Sequence, residues 1–175
     1  NGSRGIIMTV KVTKPEINVR EKISELDYSR VPYHKMPAGS VIRVKHHVID
    51  PGTATTTSTT LIETGLTVTL TPMSSSNKFL LLASMHEIYI DQSAKAIGLV
   101  LARDGSRLND ADGATLGYTA SAGANYFNVN LQAFDEPGTT SAVTYSVMVK
   151  SRYGSTVRWN SDNTPSFLTV LEIAG

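Results

Sequence analysis

From residue 40 onward, apolar and polar positions alternate along the chain with a period of two. In the segment "LTVTLTP", Leu66, Val68 and Leu70 are apolar and threonines stand between them. Similar patterns begin near residues 41, 78, 96, 125, 142 and 166. Because successive side chains of a strand point to opposite faces, this pattern predicts a series of half-buried strands. The pair Asp104-Gly105 between two apolar runs predicts a tight hairpin.

These strands predict the fold class. Roughly eight to ten short strands joined by turns are typical of an antiparallel β-sandwich or jelly roll. Serine and threonine supply 38 of the 175 residues, which suits the solvent face of a sheet and its turns. We therefore expect an all-β protein.

Composition excludes some classes of site and partner. The chain has no cysteine, so a disulfide framework and a thiolate metal site are both excluded. Sixteen basic and fifteen acidic residues give a formal charge of +1. Since such a balance produces no strong overall field, we expect neither nucleic acid nor a membrane surface as a partner.

The first 27 residues follow a different pattern from the rest. Asn18 and Glu21 have the spacing of a helix cap, and Val19, Ile23 and Leu26 fall on one face of the helix that would follow. A helix this short is not stable alone in water, so it needs a surface to lie on. We therefore expect an arm and linker over residues 1–39, followed by a β-domain over residues 40–175. The expected contact residues of the arm are Pro15, Ile17, Asn18, Val19, Arg20, Glu21, Ile23 and Leu26.

The last predicted strand is apolar on both faces. A strand of this kind must be covered on both sides, and the second cover is often another subunit. This interpretation predicts an oligomer, whereas a position in mid-sheet beneath a loop is the alternative. The residues expected at the subunit contact are Phe167, Leu168, Val170 and Leu171.

The segment "RYGSTVRWNSDN", residues 152–163, is the best candidate for a binding loop. It combines two arginine–aromatic pairs with several amide and acid side chains, and such groups often anchor recognition. For each aromatic residue taken singly, core packing and strand propensity are the favoured explanation. The candidate receptor-binding residues are Arg152, Tyr153, Arg158, Trp159 and Asn160.

The histidines and the oxygen-rich segments do not form a recognisable metal motif. His46 and His47 are adjacent on a strand, so they point to opposite faces and cannot share one ion. His86 is expected to be hydrogen-bonded or exposed, although a symmetric trimer would bring three copies together. The spacing of residues 104–113 does not fit a helix-loop-helix calcium site, and a looser calcium loop stays open.

Catalysis has little support in the sequence. The chain contains no motif for a nucleophilic serine, a zinc protease or a phosphate-binding loop. Paired carboxylates for glycoside cleavage are available in any protein of this size, so their presence selects nothing. We expect no catalytic residue, no metal and no cofactor. The acidic residues considered were Glu63, Glu87, Asp91 and Asp135.

Two stretches resemble known virion proteins. The segment "TVKVTKPEINVREKISELD", residues 9–27, resembles the amino-terminal lead of tail-fibre and other virion proteins of marine bacteriophages, cyanophages in particular. The body resembles a β-domain of phage structural proteins that carries a T-G-L-x-V-x-x-T-P segment and a later R-D-G hairpin. The matching positions are Thr64, Gly65, Leu66, Val68, Thr71, Pro72, Lys78, Leu80, Gly98, Leu99, Arg103, Asp104 and Gly105.

The resemblance implies a virion structural protein. It implies a particle-anchoring arm and a homotrimeric jelly roll of the C1q/TNF-like type, assembled in the host cytoplasm. Its partners would be other virion proteins (a tail protein or the major capsid protein), and a host surface glycan is a further candidate. Long family members place a shaft after the lead, whereas here twelve residues lead straight into one β-domain. This departure fits a short tail fibre or adhesion module, with capsid decoration (cement) as the close alternative and a glycan-cleaving tail enzyme as a more distant one.

Overall fold

The computed structural model describes residues 32–49, 54–90, 92, 95–108, 115–120, 123, 125–160 and 164–175. The predicted arm helix and all eight of its expected contact residues lie outside these ranges. The chain divides between residues 35 and 36, and the described residues before that point include a short 3-10 helix, Tyr33–Lys35. The function assigned to residues 1–39 therefore stays a prediction.

The part of the chain after residue 35 is built from strands. Within the described ranges, no helix is long and apolar enough to cross a membrane. The strands are β1 (Val41–Ile49), β2 (Ala54–Thr56), β3 (Ile62–Leu70), β4 (Lys78–Ile90), β5 (Lys95–Arg103), β6 (Ser106–Arg107), β7 (Thr115–Thr119), β8 (Asn125–Asp135), β9 (Val143–Ser151), β10 (Val157–Trp159) and β11 (Ser166–Ile173).

The strands form two antiparallel sheets. The first sheet has the main order β1-β11-β4-β8, and the short strands β10 and β2 extend it beside the far end of β4. The second sheet has the main order β3-β9-β5-β7, and β6 also pairs with β5. Strands that follow one another in sequence mostly lie in different sheets, which is the connectivity of a jelly roll. The predicted all-β sandwich is confirmed.

The core lies between the two sheets, where the alternation predicted it. Leu66, Val68 and Leu70 on β3 are buried, and so are the alternate positions of β9. Apolar burial of this kind is the main favourable term in folding. The buried residues that β3, β8 and β9 contribute to the core are Leu66, Val68, Leu70, Val129, Leu131, Val143, Tyr145, Val147 and Val149.

Strand β1 places its more apolar face outside rather than against the core. Val44 and Val48 are exposed, whereas Arg43 is directed inward and pairs with the buried Glu172 of β11. His47, on the inward side, accepts a hydrogen bond from the backbone N–H of Thr67 at 3.1 Å. The buried carboxylate needs a cation, and β1 supplies it from the edge of the sheet.

Segment 78–90 is one strand, β4, with an irregularity between Met85 and Ile88. Glu87 has a φ of +49°, a conformation that inserts one residue into the alternation. As a result, His86 and Tyr89 both point away from the core. The predicted hairpin is confirmed at Asp104 and Gly105, which have φ values of +49° and +76°, although the returning strand β6 has only two residues.

Three strands were not predicted: β7 (Thr115–Thr119) and two shorter ones. β2 lies in the hydroxyl-rich segment 50–60, and β10 lies inside the predicted binding loop. Each has three residues, which is too short for a period of two to be recognised. β2 and β10 pair with each other, so they bring the hydroxyl-rich segment and the predicted binding loop together.

Candidate functional site

The side of the first sheet that faces away from the core is the candidate site, and we call it the outer face. The register of the strands places its side chains in rows that cross four strands. Because neighbours in such a row are about 5 Å apart, their side chains touch or nearly touch. The first row is Val44, Leu171, Leu80 and Phe134, the second is His46, Thr169, Leu82 and Gln132, and the third is Val48, Phe167, Ser84 and Asn130.

Much of the outer face is apolar. Val44 and Phe134, at the two ends of the first row, are each 55% exposed. An extended apolar surface that lies open to solvent commonly marks a contact with another molecule. We call this surface the apolar patch and define it as Val44, Val48, Leu80, Leu82, Phe134, Phe167 and Leu171.

Two histidine rings flank Phe167 on the outer face. The centroids of His46 and His86 lie 5.8 and 5.5 Å from that of Phe167. His46 Nδ1 lies 2.8 Å from Thr169 Oγ1, and His86 Nδ1 lies 2.7 Å from the carbonyl oxygen of Pro165. Because a carbonyl oxygen only accepts, His86 Nδ1 carries a proton and donates it. Both rings are therefore held in place and line the polar border of the apolar patch.

The four residues predicted at a subunit contact divide between the two faces of β11. Phe167 and Leu171 lie on the outer face, where they are half-buried. Leu168 and Val170 point into the core and are almost fully buried. A partner that docks on the outer face would touch only Phe167 and Leu171. Leu168 and Val170 would support that contact from beneath.

The predicted binding loop does not present its residues as one surface. Arg152 and Tyr153 are exposed, and the backbone N–H of Arg152 donates to the carbonyl of Ala96 at 2.9 Å. Trp159 is buried in the core, and Asn160 is buried beside Ser166, to which it is hydrogen-bonded. Since β10 alternates like any strand, Trp159 and Arg158 point to opposite sides.

Arg158 belongs to a group that sequence reasoning missed. Its guanidinium lies 4.8 Å from the ring centroid of Tyr89, a cation–π contact. Tyr89 in turn lies 4.9 Å from the ring of its cross-strand neighbour Tyr126. The signal in the sequence was the phase of the alternation, because Tyr126 is out of step with the inward residues of β8.

Two of the candidate acids have structural partners, as do His46, His47 and His86. The Glu63 carboxylate accepts from Ser146 Oγ at 3.0 Å, and Asp135 pairs with Arg103 at 2.8 Å. Asp91 lies outside the described residues, as do residues 109–113, half of the segment considered for calcium. In the described part of the chain, no three histidine or acidic side chains lie close enough together to hold a metal ion.

Comparisons with known proteins give a distant structural likeness. No family profile matches the chain. No curated protein matches it either. Among solved structures, it is similar to the VP2 subviral particle of infectious bursal disease virus, with a TM-score of 0.42 and 11% identity over 78% of this chain. The structure of the Gx strain of that virus gives a TM-score of 0.36 and 10% identity, again over 78%. The chain spans about a third of those chains, 34% and 33% respectively.

Proposed function

We propose that the chain is a structural protein of a bacteriophage particle, without enzymatic activity, that assembles as a homotrimer through the part of its outer face formed by β1 and β11. The apolar patch is the observation that carries the proposal. A jelly roll whose interior is already filled by the inward faces of both sheets has no internal use for a second apolar surface. Covering that surface with further copies of the chain would remove it from water, which is the main driving force of association.

The assignment to a phage particle comes from the sequence. Residues 9–27 resemble the lead of phage tail fibres, and the jelly roll agrees with the likeness found in the body. In this proposal the arm docks on a tail or capsid protein and the β-domain projects from it. A short tail fibre or adhesion module fits best, because this lead is most familiar from tail fibres.

Capsid decoration is the second candidate. It is favoured by the short connection, since only twelve residues separate the lead from the β-domain. A domain held that close to its anchor would lie on the particle surface and would not reach far from it.

The proposal is tested by removing residues 1–27. The truncated protein should keep the sedimentation coefficient of an oligomer and should be lost from particles assembled in its presence. If the oligomer disappeared, the division of work between arm and β-domain would be wrong. Gold labelling of intact particles then separates the two candidates, because label at the tail supports the fibre and label over the head supports decoration.

Two further measurements address the remaining alternatives. Saturable binding to capsids in a small-integer ratio to capsomers would favour decoration. Release of reducing sugar from host polysaccharide by the purified chain would overturn the assignment as a protein without enzymatic activity.

A further inference from the structure

The outward side of β8 shares Phe134 with the apolar patch but is otherwise polar along most of its length. The inward residues of β8 pack in the core. The outward residues of β8 are, in order, Tyr126, Asn128, Asn130, Gln132 and Phe134. Three exposed carboxamides thus stand between two exposed aromatic rings. We call the three carboxamides the amide row. In the described part of the structure, β8 pairs only with β4, so this row runs along an edge of the first sheet.

The amide row lies between two surface depressions. One depression, on the side of β4 and β11, includes Leu82, Ser84, Asn130, Gln132 and Phe167. The other, on the side of β7, includes Gly117, Tyr118, Thr119, Asn125, Tyr126 and Asn128. Among the described residues that line them, none carries a charge at neutral pH. Aromatic rings and hydrogen-bonding groups without charge are what both depressions offer.

The carboxamides next to β4 are held by their oxygen ends. Asn128 Oδ1 accepts from the backbone N–H of Glu87 at 3.1 Å, and Asn130 Oδ1 accepts from Ser84 Oγ at 2.7 Å. Each oxygen is thereby fixed, so each NH₂ group is directed away from its partner on β4. Groups that are oriented in advance lose less entropy when a ligand binds.

We propose that the outward side of β8 binds a neutral saccharide chain that runs along the strand. One sugar ring packs on Tyr126, and hydroxyls of this and the following sugar units are hydrogen-bonded to Asn128, Asn130 and Gln132. Carboxamides both donate and accept, which matches vicinal hydroxyl groups. An exposed aromatic ring matches the apolar C–H face of a sugar. The lack of charged groups in the lining disfavours an acidic polysaccharide and a nucleic acid, because both need cations.

The main rival occupants are a second copy of the chain and an added peptide strand. Self-association is better served by the apolar patch, whose most exposed residue outside β8 is Val44 on the opposite edge of the sheet. A peptide that pairs with the edge of β8 would bind through backbone hydrogen bonds and would not need the side chains of the amide row. The saccharide uses the side chains that distinguish this strand. The saccharide site would explain how the protein adheres to a host. This inference rests on the proposed function, because the sugar would come from the host surface.

The test is a titration of the full-length protein with neutral gluco-, galacto- and manno-oligosaccharides, with uronic-acid and sulfated chains in parallel. At least one neutral series should bind and should shift the side-chain NH₂ resonances of Asn128, Asn130 and Gln132. Tyr126→Ala should weaken binding by roughly three- to tenfold, and Tyr126→Phe should retain it because the ring remains. Asn128→Ala should weaken it to a similar extent.

Tyr153→Ala is the matched control. Tyr153 and Tyr126 are almost equally exposed, at 56% and 54%, but Tyr153 lines neither depression. An equal loss of binding in both variants would overturn the proposal. So would binding confined to acidic chains, an absence of binding to every neutral series at millimolar concentration, or a change of oligomeric state in Tyr126→Ala. Particle labelling remains independent of this result: a virion protein that binds no neutral sugar would contradict the saccharide site alone.

Discussion

At the scale of single residues, Glu172 is the most constrained charge in the described structure. It lies inside the sandwich, only 1% exposed, and accepts from three donors. These are Arg43 Nη2 at 2.5 Å, the backbone N–H of Met73 at 2.7 Å and Asn77 Nδ2 at 2.8 Å. The donors come from β1 and from the connection between β3 and β4, so one carboxylate ties both to β11.

Glu172→Gln should lower the free energy of unfolding by about 2–4 kcal/mol. The amide keeps the shape of the side chain but removes the charge opposite Arg43 and places an NH₂ group against donors. Urea denaturation, followed by the fluorescence of the single tryptophan, Trp159, measures the change. Glu136→Gln is the control, because its exposed pair with Lys78 should contribute less than about 1 kcal/mol. Equal effects in the two variants would contradict the structural role of Glu172.

A second internal group, around Tyr145, gives a dependence on pH. The hydroxyl of Tyr145 donates to Asp135 Oδ2 at 2.8 Å, and Arg103 Nη1 lies 2.8 Å from each oxygen of the same carboxylate. Burial, and then the hydrogen bond and the negative charge of Asp135, raise the pKa of Tyr145 well above its ordinary value.

Because the pKa of Tyr145 is raised on folding, its contribution to stability is complete below pH 10 and is lost as the pH rises further. Between pH 10 and 11 this group should reduce the free energy of unfolding by about 1 kcal/mol. Tyr145→Phe should remove that part of the alkaline decline, and at pH 7 it should cost about 1–3 kcal/mol through the lost hydrogen bond. Urea denaturation at several pH values measures both effects. The exposed Tyr153→Phe should change neither, and an unaltered alkaline slope in Tyr145→Phe would refute the argument.

At the scale of elements, β11 allows stability and the proposed association to be tested separately. Leu168 points into the core and Leu171 lies on the outer face of the same strand. Leu168→Ala should cost about 2–5 kcal/mol, because a cavity forms in the core. Leu171→Ala should cost about 1 kcal/mol and should shift sedimentation toward the monomer, because less apolar area remains for a partner. If both substitutions changed stability alone, the outer face would have no part in assembly.

Alternation predicted the strands that are long and half-buried, and for β3 it predicted that Leu66, Val68 and Leu70 form one apolar side, which faces the core. It did not predict the side that β1 turns inward. That choice depends on Glu172, whose partner Arg43 is 129 positions away in the chain. Nor could alternation join Tyr89, Tyr126 and Arg158, because cross-strand register brings them together and the sequence does not specify register directly.

At the scale of the whole molecule, the two sheets have different surroundings. The outward side of β3 and β9, in the second sheet, carries hydroxyl pairs such as Thr69 and Thr144, whose oxygens lie 2.9 Å apart. The outer face of the first sheet carries the apolar patch instead. On β5 of the second sheet, the outward residues Ala96, Val100 and Ala102 are apolar but already buried. The apolar patch of the first sheet lies open to solvent, so it is the surface that we expect to turn toward copies of the chain.

If copies cover the apolar patch, thermal stability must depend on protein concentration, because association stabilises only the folded chain. We expect the melting temperature to rise by about 2–4 °C for each tenfold increase in concentration. Val44→Lys should abolish that dependence, since it places a charge in the patch, on the outer side of an edge strand and away from the core. Calorimetry over a hundredfold range of protein concentration, together with sedimentation velocity, measures both effects.

Tyr153→Lys, which places the same charge on an equally exposed residue outside the patch, should behave like the unaltered protein. A melting temperature that ignores concentration would mean that the patch is not covered by copies of this chain.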